Sequence, residues 1–134
     1  MHLPARGLPV EQARALLGPA ALIGVSCHAR AEVAAAQLAG ADFALFGPVW
    51  DSPGKTAQGL AALREAVRAA PLPVLAIGGV TPATAMLAAD AGAAGVACIR
   101  AVLAAPDPAA AAHEMHVATS AGRDSGAPPA PAGA

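Results

Sequence analysis

Short apolar runs alternate with longer, alanine-rich stretches along most of the chain. Ala21-Leu22-Ile23-Gly24-Val25, Phe43-Ala44-Leu45-Phe46-Gly47, Pro73-Val74-Leu75-Ala76-Ile77 and Gly95-Val96-Ala97-Cys98-Ile99 are apolar throughout. That pattern predicts strands buried on both faces. Between them, residues 31–39 and 59–69 and a segment opened by Thr81-Pro82 read as helices. In 59–69, Leu60, Leu63, Ala66 and Val67 recur at three- and four-residue steps and give one apolar face. Thr81-Pro82 and Asp107-Pro108 each set a capping side chain before a proline, a combination that satisfies free N–H groups and fixes φ at the first helical position. The second pair starts a last helix, to about Val117, after a short helix near 101–104. Doubly buried strands alternating with helices predict a parallel sheet covered by helices, an α/β architecture. Ala39-Gly40-Ala41-Asp42 and Ala91-Gly92-Ala93-Ala94 form a weak internal repeat in which Gly ends a helix and the chain turns into a strand. From Thr119 onward Ser, Gly, Pro and Ala dominate without periodicity, so 119–134 is expected to be a disordered tail.

Composition narrows the class. The 134 residues are 56% hydrophobic, 13% charged and 2% aromatic, which suits one small domain. Eight Lys and Arg against nine Asp and Glu leave no basic excess, and almost no aromatic rings are present to stack on bases, so no nucleic-acid partner is expected. No apolar run reaches about 18 residues without Gly, Pro or a charge, so no membrane span is expected. His2, two prolines and Arg6 within the first ten residues do not form a secretory signal. Cys27 and Cys98 are too few for a disulfide scaffold and lack metal-ligand spacing, which fits a reducing compartment and a cytoplasmic location.

In parallel α/β folds ligands lie at the carboxyl ends of strands, and four such places carry chemistry here. After the first run come Ser26, Cys27 and His28. Ser26 could donate its hydroxyl to an anion or cap the next helix, and His28 could shuttle protons near neutrality or lie exposed on a first turn. The loop Trp50-Asp51-Ser52-Pro53-Gly54-Lys55 offers backbone N–H groups, a hydroxyl and a positive charge to a phosphate, or serves as an ordinary solvent loop. Gly78-Gly79 before the capped helix at Thr81-Pro82 lets a ligand approach the backbone, or makes a tight turn. Ile99 and Arg100 precede a short helix, the arrangement from which TIM barrels build phosphate sites. Two adjacent strand ends offering anion contacts argue for phosphate binding.

Gly24-Val25-Ser26-Cys27-His28, Phe46-Gly47-Pro48-Val49-Trp50-Asp51-Ser52-Pro53-Gly54-Lys55, Ala76-Ile77-Gly78-Gly79-Val80-Thr81-Pro82 and Ala91-Gly92-Ala93-Ala94-Gly95-Val96-Ala97 resemble the thiamine phosphate synthase/TenI family in order and spacing, over about residues 1–113. The resemblance implies a TIM-type (β/α) barrel of thiamine biosynthesis. Its reaction couples a pyrimidine diphosphate with a thiazole phosphate to give thiamine phosphate and pyrophosphate, with Mg²⁺; TenI relatives include a thiazole tautomerase. Carried over by position, Ser26 would contact the pyrimidine diphosphate and Lys55 its pyrophosphate. Ser52, Pro53, Gly54, Gly79, Ile99 and Arg100 would hold the thiazole phosphate, and His28 falls where the tautomerase places an acid/base imidazole.

The departures are specific. Synthases carry a His-Leu-Gly-Gln-x-Asp run whose Asp binds Mg²⁺, whereas the matching stretch here, His2-Leu3-Pro4-Ala5-Arg6-Gly7, has Gly7 at the Asp position. Gly54 replaces a common Thr, the loop before Gly59-Leu60 is short, and Arg100 replaces a small Ser. These changes favour the TenI-like branch. The chain enters at the end of the fourth βα unit, His2-Leu3, so residues 1–118 are expected to form only about the second half of a barrel, four complete strands with their helices. An open half-barrel exposes two strand edges, and self-association or a partner chain is the expected way to cover them. A non-catalytic phosphate-binding half-barrel is the alternative to an active transferase or tautomerase.

Overall fold

The computed structural model describes residues 1–126 and shows five parallel strands interleaved with six helices. In chain order these are β1 (His2–Leu3), α1 (Val10–Leu17), β2 (Gly24–Cys27), α2 (Arg30–Leu38), β3 (Phe43–Phe46), α3 (Gly59–Arg68), β4 (Val74–Ile77), α4 (Pro82–Asp90), β5 (Gly95–Ala97), α5 (Arg100–Leu103) and α6 (Pro108–Gly126). The strands are hydrogen-bonded in the order β1-β2-β3-β4-β5. Sequential order in an all-parallel sheet is barrel topology, not the reversing order of a doubly wound sheet.

Strand alternation assigns the two sheet faces. Leu3, Cys27, Ala44, Phe46, Val74 and Ala76 are buried under the helices with Val33, Leu63 and Ala66. The register pairs Ser26 with Leu45, Leu45 with Leu75 and Ile77 with Ala97, so these residues share the other, inner face. They are half-buried. Helix α6 packs along α4 so closely that a Cβ on Gly122 would meet Ala89 and Met86. No described helix is long and apolar enough to cross a membrane.

Several expectations change. The first full strand runs over Gly24–Cys27 and not 21–25. The Phe43 ring lies so tightly over Gly24 that any Cβ would overlap it, and the pairing Gly24↔Phe43 starts the strand there. Residues 21–23 are held instead by side chains: Ala21 O accepts from the Arg14 guanidinium, and Ile23 N donates to Asp42 Oδ2 at 2.7 Å. Ser26 and Cys27 are therefore inside the strand. β5 ends at Ala97, so Cys98 and Ile99 belong to the following turn. Helix α1 has no counterpart in the apolar alternation; Val10 and Ala13 bury its face, but exposed Leu16 and Leu17 blur the pattern. Helix α6 continues to Gly126, so residues 119–126, expected in the tail, are helical. There, Thr119 Oγ1 donates to Met115 O at 2.8 Å and Gly122 is buried against α4, contacts that composition does not reveal. The rest of the expected tail, 127–134, lies outside the described residues.

At the amino ends of the strands, Arg14 joins four segments. Its Nη1 reaches the carbonyls of Gly18 and Pro19, both at 3.4 Å, as well as Ala21, while Nη2 donates to Gly40 O at 3.0 Å and to Asp42 Oδ2 at 2.6 Å. The Ile23 N–H, then the Arg14 guanidinium, hold the Asp42 carboxyl below its ordinary value of 3.8. A group whose folded pKa is depressed stabilises the fold above its unfolded pKa and loses that contribution as pH falls through the folded value. Asp42→Asn is expected to be less stable than wild type at neutral pH, with the difference shrinking as pH falls below about 4; urea unfolding across that pH range reads both effects.

Candidate functional site

The carboxyl ends of β2 and β3 bring the first group together. Cys27 pairs with Phe46, which sets His28 beside Gly47, and His28 Nδ1 lies 2.6 Å from the Gly47 carbonyl oxygen. A carbonyl only accepts, so the neutral imidazole carries its proton on Nδ1 and keeps the Nε2 lone pair. Gln58 Nε2 donates to the same oxygen at 2.9 Å, and the His28 backbone N–H donates to Glu32 at 2.6 Å. The ring is thus fixed on an exposed residue. Ser26 does not cap α2, whose N-cap Ala29 has no side-chain cap; its Oγ lies 2.9 Å from His2 Nε2.

The loop after β3 is a ring tied at its base. Val49 and Trp50 N–H groups bond to Ile77 O at 2.9 Å and Gly78 O at 3.1 Å, extending the pairing towards β4 past the strand ends. Gln58 N and Gly59 N return to Pro48 O and Val49 O at 2.9 and 3.0 Å, and Asp51 Oδ1 accepts from Ala57 N at 3.0 Å. Within it, Ser52 and Lys55 exchange backbone hydrogen bonds around Pro53 and Gly54, the latter at φ +74°. A Pro-Gly pair with positive φ on the Gly is the chemistry of a type II turn. That reversal leaves Lys55 exposed at the loop tip.

Beyond β4, Gly78 and Gly79 have φ of +91° and +64°. A Cβ on Gly78 would sit 2.5 Å from Pro48, and one on Gly79 would sit 2.6 Å from Asp51 O and 2.7 Å from Trp50 Cβ. Only glycine fits both the backbone and the space. Thr81 and Thr84 then form a reciprocal capping box at the start of α4, with Thr81 N donating to Thr84 Oγ1 at 2.8 Å, so part of that helix end is already satisfied by its own side chains. Past β5, Ile99 is 65% exposed and Arg100 opens α5.

These strand ends enclose one cavity of about 780 Å³. Ser26, His28, Ser52, Pro53, Lys55, Gly79, Ile99 and Arg100 all line it, so eight of the nine candidates converge from four strand ends. Gly54 shapes the turn between two lining residues without lining the cavity itself. Leu45, Ile77 and Ala97 form its apolar floor on the inner sheet face. The walls carry the cations Lys55 and Arg100 against a single carboxylate, Asp51, whose Oδ1 already accepts from Ala57 N. The lining thus favours an anion with an apolar part.

Burial, reinforced by Glu32, pushes the Cys27 thiol up to about 11, and burial also raises Cys98; both are thiols at neutral pH. Magnesium does not fit this donor set. Among the described residues no three His, Cys, Asp or Glu side chains gather where a metal ion could be held. At Gly7 a Cβ would lie 2.8 Å from the Pro4 ring, so a side chain there requires the turn to shift.

His2, Gln58 and the bracing role of Asp51 have no signature in the sequence, because their partners lie on another segment or across a loop. Glu32 is local, an acidic residue in the first turn of α2 that accepts from His28 N four residues before it. A strand-end register worked out in advance would have paired His28 with Gly47, but nothing local indicates that Gln58 closes on the same carbonyl.

A family model described as thiamine monophosphate synthase matches residues 1–102. A putative thiamine-phosphate synthase of Geobacter sulfurreducens is 48% identical over 115 residues, covering 81% of this chain and 53% of that protein. The thiamine-phosphate synthase of Anaeromyxobacter dehalogenans is 46% identical over 127 residues, covering 92% and 57%. Among solved structures, thiamine phosphate pyrophosphorylase from Pyrococcus furiosus superposes with a TM-score of 0.83 at 30% identity, over 90% of this chain and 59% of that one. The chain therefore spans about half the length of the curated relatives it matches. With the family model covering most of the chain and the cavity at the matching strand ends, this chain belongs to the thiamine monophosphate synthase family.

Proposed function

We propose that this chain holds the thiazole phosphate of the coupling that yields thiamine phosphate and pyrophosphate, and that it does so in the cytoplasm. The convergence of Ser52, Lys55, Gly79 and Arg100 on one cavity with an apolar floor carries this reading. A phosphate is multiply charged and needs several donors, and the heterocycle attached to it needs an apolar surface. On the same reading Ser26 serves the diphosphate of the second substrate, and Lys55 lies between the two anions and serves both. Coupling displaces pyrophosphate, so negative charge builds on the departing group, and a cation at Lys55 stabilises that charge more than it stabilises the starting ester. Because the chain spans about half the length of its relatives, the complete reaction is proposed for the assembled barrel. The remaining units adjoin the open edges β1 and β5, within one polypeptide or through self-association or a partner chain.

A second reading, proton transfer on the thiazole as in the TenI-like branch, is favoured by one observation. The His28 ring is fixed by Nδ1 on Gly47, and its Nε2 has no protein partner among the described residues. An imidazole oriented in this way can take a proton from one carbon or nitrogen and return it to another at neutral pH.

Titration calorimetry with thiazole phosphate separates these roles. Lys55→Ala and Arg100→Ala are each expected to weaken binding by roughly tenfold, the value of one charge-assisted hydrogen bond at an exposed site; unchanged affinity in both would reject the phosphate site. Gly79→Ala forces a Cβ onto Asp51 O and Trp50 Cβ at a left-handed φ and should cost on the order of 1–3 kcal/mol of stability in denaturant melts, together with binding. His28→Asn is expected to slow thiazole tautomerisation by about 10²-fold or more, followed by proton NMR, with a smaller effect on phosphate affinity than Lys55→Ala. Equal tautomerisation rates would remove the second reading.

A further inference from the structure

Two histidines approach the cavity from neighbouring strands, and their hydrogen bonds give them opposite chemistry. His28 commits its Nδ1–H to the Gly47 carbonyl and keeps an acceptor at Nε2. His2 on β1 pairs in register with Gly24, so it shares the inner face with Ser26 two residues further along β2. Its Nε2 lies 2.9 Å from Ser26 Oγ. Ser26 lines the cavity, whereas His2 does not, so His2 acts there through the hydroxyl.

A serine hydroxyl has one proton and two lone pairs. When His2 Nε2 accepts that proton, Ser26 presents only lone pairs to the cavity, and these repel an anion. When His2 Nε2 carries a hydrogen and donates it to Oγ, the hydroxyl proton is free to point at a phosphoryl oxygen. We propose that His2 is a positioning residue that sets Ser26 as a hydrogen-bond donor to a bound phosphoryl group, so that the anion and the Nε2–H form of His2 select one another. Ligand binding and His2 tautomer are then linked, and each shifts the other by the same factor. The proposal rests on the reading that places a phosphoryl group against Ser26.

Inorganic pyrophosphate titrated into the full chain provides the test. His2→Leu is expected to weaken binding about three- to tenfold, the range of one hydrogen bond, and His2→Gln, whose amide nitrogen can donate to Oγ, to restore most of it. In a Ser26→Ala background His2→Leu should have no further effect. Nitrogen-15 NMR of the wild-type imidazoles should show His2 moving to the Nε2–H form as pyrophosphate is added; should His2→Leu fail to fold by circular dichroism, this measurement decides alone. Unchanged affinity in folded His2→Leu, an equal loss in the Ser26→Ala background, or an unmoved His2 tautomer overturns the proposal while leaving the phosphate site in place. Failure of the wild-type chain to bind pyrophosphate overturns the phosphate reading, and this proposal with it.

Discussion

The main-chain hydrogen bonds between parallel neighbours set Cys27 against Phe46, Phe46 against Ala76 and Ile77 against Ala97. Because side chains alternate across a sheet, a slip of one residue in any of these pairings would send Ser26, Leu45 and Ile77 to the helix side and Phe46 and Ala76 to the cavity. Two contacts guard the register. The Phe43 ring fills the space over Gly24 that any side chain there would need, and the Arg14 guanidinium with the Asp42 carboxylate ties α1, the approach to β2 and the start of β3 at the other end of the strands. With the register held, every strand points its carboxyl end at one rim.

The two rims then do different work. At the amino ends the ion pair of Arg14 with Asp42 is wrapped in backbone carbonyls and a backbone N–H, an arrangement suited to stability. At the carboxyl ends the polar groups are spread around a cavity, Lys55 and Arg100 are exposed, and the tight packing is done by backbone. Gly78 and Gly79 let the β3 and β4 loops lie against each other, so the cavity wall is closely packed although Lys55 and Arg100 are not buried. Such division between a stabilising and a reactive face is general in (β/α) barrels.

Electrostatics within the cavity follow from the same geometry. The His28 imidazole is held through Nδ1, the Ser26 hydroxyl is joined to His2 from outside the cavity, and Lys55 and Arg100 share the lining with Asp51, whose carboxylate is already engaged by a loop N–H. Among the described residues the acidic groups do not converge on a point where a metal ion could be held, and a Cβ at Gly7 would meet the Pro4 ring. The apolar floor of Leu45, Ile77 and Ala97 leaves the charged groups to the rim, where Asp51, Lys55 and Arg100 are exposed to solvent.

Sequence alone determined the α/β alternation, the last four strands to within a few residues, the capped start of α4 and the identity of eight residues that line the cavity. These are local or ordered features: apolar period, proline and glycine conformation, and motifs that follow each strand. Tertiary structure decided what depends on residues distant in sequence. It moved the first full strand to Gly24–Cys27 through Phe43, Arg14 and Asp42, and it made α1 a helix by burying Val10 and Ala13. Packing of Gly122 on α4 likewise carried α6 through a stretch whose composition predicts disorder. It also chose the partners of His28 and Ser26, because a hydrogen bond across strands is set by register and has no spacing in the sequence to announce it.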